Sequence, residues 1–150
     1  MQPAGKKRGP RRIGRTKGGL NSKLHAVCDQ HGRPLVLMLT EGQVNDHKGA
    51  AALFHALPSA ALLIADRGYD SDGFRAALIE KGTTPCIPTR KNRKVQIPHD
   101  AGLYRTRHTV ENMFAKLKDW RKLATRYDRC SYIFMGTIII AATVIFWLPK

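Results

Sequence analysis

The apolar and polar positions of this chain alternate between strand-like and helix-like patterns. A continuous apolar run bounded by turn residues indicates a buried strand, whereas apolar residues at every third or fourth position indicate a helix. The predicted strands are residues 20–28, 34–40, 60–65 and 84–87, and the predicted helices are residues 46–57, 71–81 and a further segment at 104–118. Strands that alternate with helices predict a layered α/β domain.

The segment at 104–118 carries a polar stripe. At 100° per residue, the members of this stripe fall within an arc of about 60°, so their side chains can converge on one substrate. The stripe consists of Tyr104, Arg107, Glu111 and Lys118, and the neighbouring apolar face, which we expect to be buried, consists of Leu103, Val110, Phe114 and Leu117. Taken alone, Arg107 and Glu111 also fit an ordinary i,i+4 surface pair worth about 0.2–0.5 kcal/mol.

A second carboxylate, Asp66, follows the apolar run at 60–65. In open α/β sheets, ligands bind beyond the carboxyl ends of the strands. The alternative is an aspartate that caps a helix or shapes a turn, a role that Asp70 or Asp72 fits better. A strand-end aspartate and a helix-borne glutamate such as Glu111 can together hold a divalent metal ion at a phosphodiester bond.

Three separated motifs occur in order along the chain: the stretch 15–26, the stretch 65–71 and the Tyr-Arg-Glu-Lys spacing at 104–118. In this combination the chain resembles bacterial insertion-sequence transposases of the DDE class, in the group named after insertion sequences four and five. The resemblance extends over residues 13–148 and implies an RNase H-like fold, in which a mixed sheet is flanked by helices. It also implies three carboxylates that bind Mg²⁺ (or Mn²⁺) for DNA cleavage and strand transfer, with Asp66 as the second and Glu111 as the third.

The first carboxylate of that set has no counterpart in this sequence, which begins inside the basic stretch that would follow it. Asp29, Glu41 and Asp46 lie in turn or loop compositions, and we interpret them as structural. The chain therefore resembles the C-terminal catalytic portion of a transposase, with a sheet that lacks its opening strand. We expect it to be inactive without an upstream-encoded N-terminal half. Two origins fit the sequence: a reading frame joined to that half by frameshifting, or a decayed fragment. The alternative is a non-catalytic DNA-binding remnant or inhibitor.

Positive charge dominates the composition, with 26 Lys and Arg against 11 Asp and Glu and a formal net charge of +15. Such an excess is typical of proteins that bind nucleic acids. Residues 1–17 are predicted to form a basic flexible arm, and residues 18–150 the partial catalytic domain. Two further basic clusters flank the proposed metal site, although each also fits a solvated surface. They are Arg90, Lys91, Arg93 and Lys94, which we call the basic loop, and Arg121, Lys122, Arg126 and Arg129.

The resemblance implies double-stranded DNA as the partner, in the form of the terminal inverted repeats of the transposon and its target DNA. It implies that Tyr104, Arg107 and Lys118 hold phosphates or an unstacked base at the transposon end. Arginine suits forked contacts with phosphate, and lysine acts as a point charge. We expect the basic loop to contact the DNA backbone and the protein to form a homo-oligomer on DNA.

The stretch at 133–148 contains no charged residue. A membrane-spanning helix needs about 20 apolar residues and a run of 10–14 is more often buried, so we predict a core helix, with a membrane anchor as the alternative. No apolar stretch follows the basic N-terminus, so we predict no signal peptide and a cytoplasmic location. The spacing of Cys28, Cys86 and Cys130 predicts neither a disulfide framework nor a zinc site.

Overall fold

A computed structural model describes residues 12, 14–16, 19–120 and 131–150 of the chain. Its strands are β1 (Gly14–Thr16), β2 (Gly19–Cys28), β3 (Pro34–Glu41), β4 (Leu62–Ile64) and β5 (Thr84–Cys86). Its helices are α1 (Asp46–Phe54), α2 (Asp72–Glu80), α3 (Ala101–Tyr104), α4 (His108–Lys118) and α5 (Ser131–Ala142). Short 3-10 helices lie at Arg67–Tyr69 and Arg105–Arg107, and a π-helical turn lies at Thr143–Trp147. The mixed α/β architecture predicted from the hydrophobic pattern is confirmed.

Strands β2 and β3 form the predicted antiparallel hairpin, and β1 pairs with the beginning of β2. The turn of the hairpin is shaped by Asp29, whose carboxylate accepts hydrogen bonds from the backbone N–H groups of His31 and Arg33, both at 2.9 Å. Gly32 in this turn has a φ of +78°, a conformation in which a side chain would clash with the backbone. The interpretation of Asp29 as a turn residue is therefore confirmed.

Strands β4 and β5 form a parallel pair connected through α2. Ser71 is the N-cap residue of α2, and Gly82 ends this helical turn with a φ of +86°. The register places Ile64 beside Cys86, so both strands end at the same edge. Asp66, which follows β4, and the basic loop, which follows β5, therefore emerge on the same side of the fold.

The described strands belong to two sheets, a three-stranded antiparallel sheet and a two-stranded parallel sheet. We expected one mixed sheet without its opening strand. The strand directions agree with a mixed arrangement, but no backbone pairing joins the two sheets among the described residues. Side chains join them instead, because Val27 of β2 packs against a buried cluster of Leu57, Leu78 and Ile87.

The segment predicted as one helix at 104–118 changes type along its length, since the 3-10 turn Arg105–Arg107 separates α3 from α4. Its inward face consists of Val110, Met113, Phe114 and Leu117. Leu103 was expected on the same face, but its side chain is 42% exposed. That expectation is wrong because a 3-10 helix has three residues per turn, so the apolar spacing that suits α4 does not extend back through the 3-10 turn.

Helix α5 contributes to the core of the protein. Ala141 and Ala142 form one buried cluster with Met113 and Leu117 of α4, and Leu24 and Leu37 of the hairpin pack against the same cluster. No helix in the described ranges is long and apolar enough to cross a membrane.

Some predictions differ from the structure at their boundaries or fall outside the described residues. Helix α1 ends at Phe54 rather than at residue 57, because the chain then tightens into i,i+3 hydrogen bonds, from Ala56 N–H to the Leu53 carbonyl and from Leu57 N–H to the Phe54 carbonyl. Most of the predicted arm, residues 1–17, lies outside the described residues, although β1 is part of it and pairs with β2. The basic cluster at 121–129 also lies outside them.

Two isoleucines test whether α5 is packed as a core helix. Ile138 is 1% exposed and Ile140 is 60% exposed on the same helix. Ile138→Ala should lower the free energy of unfolding by about 2–5 kcal/mol, because it removes buried methyl groups and leaves a cavity. Ile140→Ala should change it by no more than about 0.5 kcal/mol. Denaturant unfolding measures both, and equal losses would contradict the packing described here.

Candidate active site

Asp66 lies just beyond the carboxyl end of β4. Its carboxylate accepts a hydrogen bond at 2.8 Å from the backbone N–H two residues later and caps the 3-10 helix Arg67–Tyr69. The expectation that Asp70 or Asp72 would cap in preference to Asp66 is wrong, because Ser71 caps the helix that follows. The Asp66 side chain remains 40% exposed, so the capping role leaves carboxylate surface open to a ligand.

Arg107 connects Asp66 with Glu111. Arg107 Nη2 lies 3.8 Å from Asp66 Oδ2, and Arg107 Nη1 donates a hydrogen bond to Glu111 Oε1. The i,i+4 surface pair considered from sequence is therefore present. The same guanidinium, however, also reaches a carboxylate from a distant part of the chain. Three predicted site residues are brought together in this way.

A cleft of about 410 Å³ opens beside Asp66. Tyr104 lines this cleft, and its ring lies edge-to-face with the ring of His99, with the centroids 5.5 Å apart. The lining residues are Asp46, Asp66, Arg67, Gly68, Pro88, His99 and Tyr104. The first member of the predicted polar stripe therefore faces the same space as Asp66.

Asp46 also reaches this cleft, which sequence reasoning missed. Asp46 Oδ2 lies 2.1 Å, and Asp66 Oδ1 2.9 Å, from the position that a Cβ on Gly68 would occupy. The two carboxylates therefore approach one another over a residue that has no side chain. Lys23 forms a 3.0 Å ion pair with Asp46. The sequence holds no local signal for this approach, because β2, α1 and the turn after β4 are far apart along the chain.

A partly buried chain of polar side chains, centred on the buried His25, supports the turn that Asp66 caps. Hydrogen bonds join His25 Nδ1 to the Tyr69 hydroxyl at 2.9 Å and His25 Nε2 to the Thr40 hydroxyl at 3.0 Å. Burial lowers the pKa of His25, with Asp46 opposing this effect. Burial, assisted by the charges of Asp46 and Asp66, raises the pKa of Tyr69. Both side chains are therefore uncharged at neutral pH, and they link the hairpin to the turn after β4.

Lys118 is exposed on the last turn of α4. It lies two turns, or about 10 Å along the helix axis, beyond Glu111. Within the described residues, no hydrogen bond or ion pair joins Lys118 to Asp66 or Glu111. Its position suits a ligand that extends from the carboxylates along the helix.

The basic loop is held by the buried carboxylate of Asp70, a role that sequence reasoning also missed. Asp70 accepts hydrogen bonds from Arg75 Nε at 2.8 Å and from Arg93 Nε and Nη2 at 3.0 and 2.9 Å. It also accepts one from the backbone N–H of Arg90 at 2.8 Å. Burial alone would raise the pKa of Asp70, but these donors outweigh it and hold the pKa well below its usual range. Two of the predicted DNA-binding residues thus have partners inside the protein, whereas Lys91 and Lys94 are exposed.

The described ranges contain no group of three or more His, Cys, Asp or Glu side chains arranged to hold a metal ion. The carboxylates at the cleft are nevertheless hard oxygen donors of the kind that Mg²⁺ prefers. Arg107 places a positive charge between Asp66 and Glu111. The guanidinium of Arg107 thus compensates the charge of both carboxylates.

Comparison with known proteins identifies the family. The chain matches the model of the transposase DDE domain over residues 2–144. It belongs to this family. It is 35% identical over 130 residues to a protein from Brucella ovis named as a transposase for insertion sequence element IS6501, a match that covers 86% of this chain and 99% of the relative. It is 33% identical over 156 residues to a protein from Burkholderia cepacia named as a transposase for insertion sequence element IS402, which covers 91% of this chain and 72% of the relative. No solved structure gives a significant match.

The resemblance inferred from the three motifs is therefore confirmed, and the chain is a member of the insertion-sequence transposases of the DDE class. In this DDE transposase domain, Asp66, Glu111, Arg107 and Tyr104 converge at one edge of the parallel strand pair. The comparisons establish the family, and the geometry establishes which of the predicted residues are neighbours.

Asp70 provides a test of how this edge of the transposase domain is held. Asp70→Asn should lower the free energy of unfolding by about 3–5 kcal/mol, because it leaves Arg75 buried with a charge that is no longer compensated. Asp72→Asn is the matched control: the side chain of Asp72 is 86% exposed, and its loss should change stability by about 1 kcal/mol at most.

The same variant makes a prediction about pH. Because folding lowers the pKa of Asp70, its contribution is fully present above its unfolded pKa of about 3.9 and is lost as the pH falls towards the lowered value. The stability difference between the wild-type chain and Asp70→Asn should therefore shrink in acid below about pH 4. Denaturant unfolding at several pH values measures this, and a difference that is constant down to the lowest measurable pH would contradict the pairing.

Proposed function

We propose that this transposase domain cleaves and joins phosphodiester bonds at the ends of an insertion sequence, with Asp66 and Glu111 as metal-binding carboxylates. The observation that carries the proposal is the bridge through Arg107, which gathers a strand-end aspartate and a helix-borne glutamate beside an open cleft. Neither carboxylate is buried, and each retains oxygen surface for a ligand.

Asp66 and Glu111 would hold Mg²⁺ or Mn²⁺. Such ions polarise phosphoryl oxygens and activate a water molecule or a hydroxyl group for attack. The protein side chains contribute position and charge. Gly68 lets the backbone after β4 approach the carboxylates without a clash, because a Cβ there would overlap Asp46. Arg107 now neutralises the two carboxylates. Once a metal ion neutralises them instead, the guanidinium would be free to contact a phosphate of the DNA end.

Double-stranded DNA is the proposed substrate, as transposon ends and target. The net charge of +15 supports a polyanionic partner. Tyr104 lies at the cleft, where its ring can stack on an unpaired base or pack against the sugar-phosphate backbone. Lys118, further along α4, would contact a phosphate outside the cleft.

We also propose that the first carboxylate and the strand that carries it come from an upstream-encoded N-terminal half, and that the assembled transposase acts as a homo-oligomer on DNA. The division of the described strands into two sheets supports a missing connection between them.

The assignment of the two carboxylates is tested by Asp66→Asn and Glu111→Gln in the complete transposase, with the upstream-encoded half present, in a metal-dependent nicking assay on DNA from the end of the element. Each should abolish cleavage, because a neutral amide is a poor ligand for Mg²⁺, while DNA binding measured by fluorescence anisotropy should be largely unchanged. Glu80→Gln is the control, since Glu80 is exposed at the end of α2, away from the cleft.

Cleavage that persists in Asp66→Asn or Glu111→Gln would overturn the assignment. A wild-type chain that binds DNA yet never nicks it, with the upstream half present and with either metal ion, would instead favour the alternative of a non-catalytic DNA-binding protein.

A further inference from the structure

The basic loop is a closed and internally braced structure. Thr89 and Ile97 close its base, because the Thr89 hydroxyl donates to the Ile97 carbonyl at 2.9 Å and accepts from the Ile97 N–H at 2.8 Å. Within the loop, the backbone N–H of Arg93 donates to the Arg90 carbonyl at 3.1 Å. The positions of its side chains relative to the rest of the protein are therefore set by the fold.

Arg93 is committed to contacts inside the protein. Its guanidinium donates two hydrogen bonds to Asp70 and one, at 2.6 Å, to Asp72. Its side chain is 21% exposed. Two carboxylates face this one cation, so little positive charge remains for an external partner. The pairing with Asp70 and Asp72 raises the pKa of Arg93, which keeps it charged at all relevant pH values.

Arg90 fastens the loop to the candidate active site. Its Nη2 donates to the Gly68 carbonyl at 2.8 Å and its Nε to the Arg67 carbonyl at 3.4 Å. Both acceptors belong to the turn capped by Asp66. Pro88, two residues before Arg90, lines the same cleft as Asp66.

Lys91 and Lys94 differ from both arginines. Each is exposed, and neither forms a hydrogen bond or an ion pair with any residue in the part of the chain that the structure describes. Lys91 lies inside the Arg90–Arg93 turn and Lys94 directly follows it, on a braced loop that is attached to the edge where Asp66 lies.

We infer that Lys91 and Lys94 are the residues of the basic loop that bind the phosphate backbone of duplex DNA, whereas Arg93 serves to hold the loop in position. The inference rests on the proposed function, because it assigns the DNA contact of that site to two of the four basic residues. Lysine suits this task, since a strongly hydrated point charge needs no fixed angle to a phosphate. Arginine suits the other, since its planar fork can satisfy two carboxylates at once.

The salt dependence of DNA binding distinguishes the two roles. The logarithm of the binding constant falls linearly with the logarithm of the salt concentration, with a slope of about 0.9 for each phosphate neutralised. Binding of the full chain to a fluorescently labelled DNA duplex would be measured by anisotropy between about 50 and 200 mM salt. The variants are Lys91→Gln, Lys94→Gln, the double variant and Arg93→Gln. Lys81→Gln is the control for net charge alone: Lys81 lies at the opposite edge, where α2 leads into β5, and, unlike the two loop lysines, its ammonium group donates a hydrogen bond to the Leu57 carbonyl.

Each lysine variant should reduce the slope by about 0.9, and the double variant by about twice that, with no change in the thermal unfolding midpoint. Arg93→Gln should lower the unfolding midpoint and leave the slope close to that of the wild-type chain at temperatures where it is folded. Lys81→Gln should leave the slope unchanged. This result would show that removing any one positive charge is not sufficient to reduce the salt dependence of DNA binding.

The inference would be overturned if the wild-type chain binds DNA and the lysine variants keep its slope, or if Arg93→Gln reduces the slope as much as they do. A loss of slope in Lys81→Gln equal to theirs would overturn it too, because the effect would then reflect net charge alone. A wild-type chain that shows no salt-dependent binding at all would count against the proposed function itself, so the two failures are distinguishable.

Discussion

The buried carboxylate of Asp70 holds α2 and the loop after β5 together at the edge of the candidate active site. Burying an ionised carboxylate costs free energy unless hydrogen-bond donors surround it. The burial of Asp70 therefore requires that the segments that carry its donors are correctly positioned. Arg75, which donates to Asp70, belongs to α2, and the other two donors, Arg90 and Arg93, belong to the loop after β5. Arg75 also donates to the Ile87 carbonyl at 2.7 Å, which ties the end of β5 to α2. The edge at which Asp66 lies is therefore held by charged hydrogen bonds in addition to apolar packing.

Asp66 and Asp70 are only four positions apart, but they differ in how many hydrogen bonds their carboxylates accept. Asp70 accepts at least four hydrogen bonds, which leaves its oxygens no capacity for an external ligand. Asp66 accepts one backbone hydrogen bond and has a guanidinium at 3.8 Å. Asp46 and Glu111 are likewise only partly paired. The carboxylate that stabilises the fold therefore has all its lone pairs in hydrogen bonds, whereas the carboxylates that could bind a metal ion retain free lone pairs.

Local patterns predicted the elements of this fold better than they predicted its contacts. The hairpin, helix α2 and the position of Asp66 at the end of a strand all follow from periodicity and turn chemistry, which act over a few residues. The approach of Asp46 to Asp66 over Gly68 depends on how α1 packs beside the turn after β4, and no local pattern encodes such packing. The exposure of Leu103 was missed for a related reason, because a short 3-10 turn changes which face a residue occupies.

The basic loop shows why a count of charges is a weak guide to a DNA-binding surface. From sequence, its four cations are equivalent members of one cluster. In the fold, the geometry of each side chain decides its use: the fork of Arg93 spans Asp70 and Asp72, and that of Arg90 reaches two carbonyls. The lysines have no such fork, and a buried ammonium group would lose hydration that few acceptors could replace. The arginines therefore brace the loop from within, and Lys91 and Lys94 are the cations of this loop that remain exposed and without a side-chain partner in the described part of the chain.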